Sequence, residues 1–217
     1  MGLGFAVGSM CFLVGPFPGY LQVVGAHADA MTFFVGSVFF TLAGGVQTWL
    51  AWSKRRGDSS RRAALWSAGV QSAGTLFFNV STFHAVDVAV SDPQYSRLVW
   101  RPDWRGSVCF LVSGALAYAV APRRGWRPLK GNAGWWQPTA NLLGCVFFGA
   151  AAVAGYVVPS TGSVLSLAAA NWNTCLGAAC FLACAIEALR IARSRASDDA
   201  AAPALPNAGG SSRREEV

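Results

Sequence analysis

FFVGSVFF, residues Phe33 to Phe40, carries the pattern that decides the fold: a glycine, Gly36, followed four residues later by a phenylalanine, Phe40. The spacing recurs once in every long apolar segment, as Gly8 with Phe12, Gly74 with Phe78, Gly106 with Phe110, Gly144 with Phe148 and Gly177 with Phe181. Residues four apart share one face of a helix, so each segment offers a notch where another backbone can approach, one turn from a ring able to fill the adjoining groove. Gly8, Gly36, Gly74, Gly106, Gly144 and Gly177 are accordingly read as helix-packing positions.

The rest of the chain fits helices in lipid. Of its 217 residues, 53% are hydrophobic and only 12% charged, and the charges stand outside the long apolar runs, the signature of a membrane protein. The net charge of +7 comes from Lys and Arg clustered beside those runs, with no basic helix face or RNA-binding motif, so nucleic acid is not the expected partner. The bilayer is; a second copy of the chain or another membrane protein is compatible with the same faces. Only Lys54 and Lys130 are lysines, which with the abundant Ala and Gly points to GC-rich coding and a bacterial source. Cys11, Cys109, Cys145, Cys175, Cys180 and Cys184 all fall inside apolar segments and read as small buried side chains rather than as disulfides or metal ligands.

In order, a first segment over 3–21 ends in Pro16, Pro18 and Gly19 and has no basic front of a signal peptide. A loop with His27 and Asp29 leads to a second segment, 30–52, which closes on Trp49, Trp52, Lys54, Arg55 and Arg56. The third, 63–86, starts from Arg61, Arg62 and Trp66. A loop from Asp87 to Arg105 mixes three aspartates with three arginines, and the fourth segment, 104–122, runs into Arg123, Arg124, Arg127 and Lys130. The fifth covers 138–158; the last, 164–193, follows the uncharged turn VVPSTGS. Tryptophan at headgroup depth followed by cations marks a cytoplasmic exit. Every Lys and Arg except Arg97, Arg101 and Arg105 lies in the two basic turns or after Glu187. The expected fold is an all-α integral membrane protein of six transmembrane helices in the plasma membrane, both termini cytoplasmic. Residues 1–195 form the bundle, as three tandem hairpins over about 3–52, 63–122 and 138–193; 196–217, rich in Ala, Pro, Gly, Ser and charge, form a disordered cytoplasmic tail.

The glycines pair off hairpin by hairpin, and Tyr20, Tyr118 and Tyr156 each stand twelve residues after the glycine of their segment, as internal duplication would leave them. The runs VGSVFFTLAG, AGTLFFNVSTFHA, RPDWRGSVCFLVSGALAYAV and NLLGCVFFGAAAVAGYVVPSTG resemble bacterial membrane proteins with a YrhK-type domain, a two-helix hairpin opened by a Gly-Ser-x-x-Phe motif. The resemblance spans about 30–190 and implies a fold pattern and a location, with no catalytic residue carried over. The first helix departs from it by its two prolines.

Polar groups inside a membrane need partners and mark the places to look for a site. Gln47 and Gln71 are expected to hydrogen-bond to each other, and Asn141 to cap its helix. The outer half holds Asn79, Thr82 and His84 on one helix and Asn171 and Asn173 on another, and these five are the candidate ligand-binding residues. Equal depth predicts that Asn79 meets Asn171, either as a closed clasp or as the wall of an outward-facing polar pocket with His84 at its rim. No nucleophile, nucleotide or zinc motif is present, and His27, His84, Asp29 and Asp87 have nothing to hold them together around a metal. No catalytic residue, metal or cofactor is expected. The chain reads as a non-catalytic membrane protein acting through packing or partners; a small-solute or ion transporter is the alternative.

Overall fold

Prolines and glycines cut the chain into helices in the computed structural model, which describes residues 1–55, 59–121 and 133–201. Helix α1 (Gly2–Val14) stops ahead of Pro16 and Pro18, which cannot continue its hydrogen-bond ladder, so the first segment is shorter than the expected 3–21. Gly19 at φ 93° and Gly25 at φ 84° take left-handed conformations on either side of a five-residue helix, α2 (Tyr20–Val24). Helix α3 (Ala26–Ser53) starts directly after Gly25, which takes His27 and Asp29 out of the expected loop and into its first turn. Helix α4 (Ser59–Ala85) follows. A π-helical turn (Ser96–Trp100) then runs straight into α5 (Arg101–Ala119), with Pro102 just past the junction. Helix α6 (Ala133–Ala154) contains Pro138.

Between α6 and the last helix the turn VVPSTGS is a small antiparallel hairpin, β1 (Val157–Val158) with β2 (Ser163–Val164), Val157 facing Val164. Helix α7 (Leu167–Ala201) runs past the expected start of the tail at 196. The tail from 202 onward and the basic turn over 122–132 lie outside the described residues.

The six long helices form a closed ring in chain order. α1 packs on α3, α3 on α4, α4 on α5, α5 on α6 and α6 on α7, and α7 returns to α1. The glycines set the close pairs. A methyl group on Gly36 would lie 2.7 Å from Cys11 Cβ and 3.0 Å from the Phe12 ring; one on Gly8 would lie 2.9 Å from the Gly36 carbonyl oxygen and 3.1 Å from Phe40. Gly74 and Gly106 meet Phe110 and Phe78 in the same reciprocal way, and Gly144 and Gly177 meet Phe181 and Phe148. Each hairpin is thus a pair of helices that insert a ring into each other's notch.

The residue after each glycine is small: Ser9, Ser37, Thr75, Ser107, Cys145 and Ala178 are each at most 1% exposed. Two of them bridge neighbouring hairpins. Ser37 Oγ donates to Asn79 Oδ1 of α4 (2.8 Å), and Ser107 Oγ donates to the Phe148 carbonyl of α6 (3.3 Å).

The six phenylalanines meet on the ring axis. Phe12, Phe78 and Phe148 form a triangle with centroids 5.9 to 6.4 Å apart; Phe40 and Phe110 each lie against Phe181, at 6.2 and 5.7 Å. Edge-on and tilted pairs at these distances attract beyond their area of burial. The remaining surface is inverted relative to a water-soluble protein. Ser9, Ser67, Gln71, Ser81 and Ser113 are buried, while Val7, Leu42, Leu76, Val112, Leu143 and Leu176, one on each long helix, face outward. Three helices, α3, α6 and α7, are long and apolar enough to cross a membrane.

Candidate functional site

The same repeat that builds the ring also lines its two ends. One turn before the glycine, the first helix of each hairpin carries Phe5, Gln71 and Asn141, and the second carries Phe33, Asp103 and Thr174. Because the two helices of a hairpin are antiparallel, these triplets sit at opposite ends of the ring, with the phenylalanine cluster between them.

At the end that carries Lys54 and Arg55, a cavity of about 280 Å³ is floored by Phe40, Phe110 and Phe181 and walled by Gln47, Ser67, Gln71, Gln137 and Asn141. Gln71 Oε1 accepts from Ser113 Oγ (3.3 Å), and Gln137 Nε2 donates to the Cys184 carbonyl (3.1 Å). The expected Gln47–Gln71 bond is not formed, since Gln71 turns to α5. Asn141 is inside α6 and caps nothing. The carboxamides of Gln47 and Asn141 make no hydrogen bond with the described residues and face the cavity.

At the opposite end, beneath the π-helical turn and the β-hairpin, a cavity of about 170 Å³ is floored by Phe12, Phe78 and Phe148. Its polar wall is Ser81 and Thr82 of α4, Tyr95, Asp103 of α5 and Thr174 of α7, and Phe33 and Trp100 complete it. Trp100 is fixed by its Nε1–H, which donates to the Ala152 carbonyl (2.9 Å), and by edge contact with Tyr156 at 4.9 Å. Asp103 sits in α5 just past its junction with the π-helical turn, one turn before Gly106. Arg101 and Arg105, on either side of it in sequence, are exposed and do not pair with it. Burial, and secondarily the Asp103 carboxyl, pushes the Tyr95 phenol up to about 12, so it keeps its proton over the physiological range.

Of the five residues selected from sequence, Thr82 alone is on this wall. Asn79 faces α3. Its Oδ1 accepts from Ser37, and its amide donates to Thr41 Oγ1 and to the Thr75 carbonyl (3.3 Å), so its hydrogen bonds are spent on a clasp between the first two hairpins. No hydrogen bond joins it to Asn171, because α4 and α7 are not neighbours in the ring. Asn173 Nδ2 returns to the Ala169 carbonyl of its own helix (2.8 Å), and the His84 ring stands 5.5 Å from Phe83. Among the described residues no three His, Cys, Asp or Glu side chains come together as a metal site. Asp103, Tyr95 and Thr174 were not anticipated, and Ser81 was read only as one of the polar residues of the outer half; the signal for Asp103 and Thr174 was their place one turn before Gly106 and Gly177.

Compared with family models, with curated proteins and with solved structures, the chain matches none.

Proposed function

We propose that the chain is a non-catalytic, six-crossing membrane protein, three YrhK-like hairpins closed into a ring, that forms a gated passage for a small polar solute or cation. The observation that carries this reading is the pair of polar-walled cavities facing each other across the phenylalanine plug on the ring axis. Polar walls at that depth have a use when something polar enters from each end, and stacked rings between them keep water from joining the two. The outward-facing apolar side chains on all six long helices support six crossings, and the basic turns support a cytoplasmic location for the end that holds Lys54 and for both termini.

Two measurements test it. A cysteine placed at Ser59 in an otherwise Cys-free variant reacts with an impermeant thiol reagent only after the cells are opened; labelling in intact cells overturns the topology. In liposomes, Phe148→Ala, which removes a ring that touches two rings of the opposite layer of the plug, raises the flux of small cations or polar solutes well above that of the unsubstituted protein. A folded Phe148→Ala protein with no flux of any solute leaves the ring as a packing scaffold that acts through partners.

A further inference from the structure

The cavity beneath the π-helical turn has an unusual hydrogen-bond balance. Ser81 Oγ donates to the Val99 carbonyl (2.9 Å) and Thr174 Oγ1 to the Ala170 carbonyl (2.9 Å), while Thr82 Oγ1 is already engaged by both the Phe78 carbonyl (2.8 Å) and Ser37 Oγ (2.8 Å). A hydroxyl has one proton and two lone pairs, so Ser81 and Thr174, with their proton committed to the main chain, present acceptors to the cavity. Trp100 has likewise committed its only N–H. In its ionised form the Asp103 carboxylate is acceptor-only as well, and no Lys or Arg among the described residues pairs with it. Tyr95 is the one side-chain hydroxyl on the wall whose proton is uncommitted. A space with an unpaired carboxyl group, further acceptors and one free donor suits a cation that brings its own N–H groups.

The rest of the wall says which kind. Phe12, Phe33, Phe78, Phe148 and Trp100 surround the polar groups with aromatic carbon, which suits an alkyl chain and attracts a cation placed against a ring face. A bare alkali ion has no use for these rings. The volume of about 170 Å³ equals that of roughly five or six waters, enough for a chain of a few carbons and one head group. An ammonium offers three N–H donors to Asp103 and the hydroxyls. We infer that this cavity binds a small primary alkylammonium ion, held by Asp103 and by the lone pairs of Ser81 and Thr174. This names the cargo of the passage proposed above and rests on that reading for transport, though binding is measurable without it.

The test is calorimetric titration of the full chain in lipid nanodiscs with n-propylammonium chloride, against sodium chloride and neutral 1-propanol. Propylammonium binds saturably, sodium at least about tenfold more weakly and propanol not at all. Asp103→Asn lowers propylammonium affinity by on the order of tenfold or more, the scale of a lost charge-assisted hydrogen bond, and Thr174→Val lowers it a few-fold. Should Asp103→Asn fail to fold, Asp103→Glu, which keeps the charge, retains binding, and Thr174→Val carries the comparison. No binding of propylammonium, equal binding by a folded Asp103→Asn, or sodium binding as tightly as propylammonium each overturns the site. Propylammonium binding without flux through Phe148→Ala keeps the site and removes the passage; flux without ammonium binding does the reverse.

Discussion

The two cavities are made by the same device and lined by different chemistry. At both ends the floor is three phenylalanines and the wall includes the residue one turn before a glycine, yet one end carries Gln71 and Asn141 there and the other Asp103 and Thr174. Neutral carboxamides, which donate and accept equally, stand opposite a charged, acceptor-rich wall. What this teaches is a division of labour along the repeat. The glycine, the small residue after it and the phenylalanine fix the ring, and the position a turn earlier sets the chemistry of each end.

The comparison breaks most severely at the shared device. Gly36→Leu should lower stability by a few kcal/mol, the scale of overpacking a tight site, because its side chain would run into Cys11 and Phe12, and both cavities should be lost together. Gly69→Leu, where nothing lies within 4 Å of the new Cβ, should leave thermal stability in detergent nearly unchanged. Equal effects from the two substitutions would mean that the glycine notches do not hold the ring. A smaller contrast sharpens the comparison at the carboxamide end. Gln71→Leu removes the longer of two acceptors within reach of the Ser113 hydroxyl, which keeps the Ser67 carbonyl at 2.8 Å, and should cost up to about 1 kcal/mol, whereas Asn141→Leu removes a group with no protein partner and should shift stability by less than about 0.5 kcal/mol. Neither should alter propylammonium affinity at the far end, and a change there would couple cavities that the plug separates.

The ring itself was visible in the sequence to the extent that it repeats. A glycine and a phenylalanine four apart, six times over, specify which face of each helix is inside, and the pairing into hairpins follows from the similar separation of Gly8 from Gly36, Gly74 from Gly106 and Gly144 from Gly177. The site was harder to see. Asp103 sits among Arg101, Trp104 and Arg105, so a charge census assigns it to a loop; the π-helical turn and Pro102 start the helix earlier and bring the carboxylate inward while both arginines stay outside. Asn79 and Asn171 were matched by depth, which is one coordinate of two. Position around the ring is the other, and it sends Asn79 to Ser37 and Thr41 instead.

Ring closure also bears on connectivity. Helices α1 and α7 lie side by side, close enough that a methyl group on Gly2 would touch Leu189 at 3.0 Å, and their contact is of the same kind as that of any two successive hairpins. The arrangement of helices is therefore indifferent to which loop is left open. A circularly permuted chain, joined between α7 and α1 and cut between any two hairpins, would keep every helix contact of the ring, and each hairpin is as much its beginning as any other.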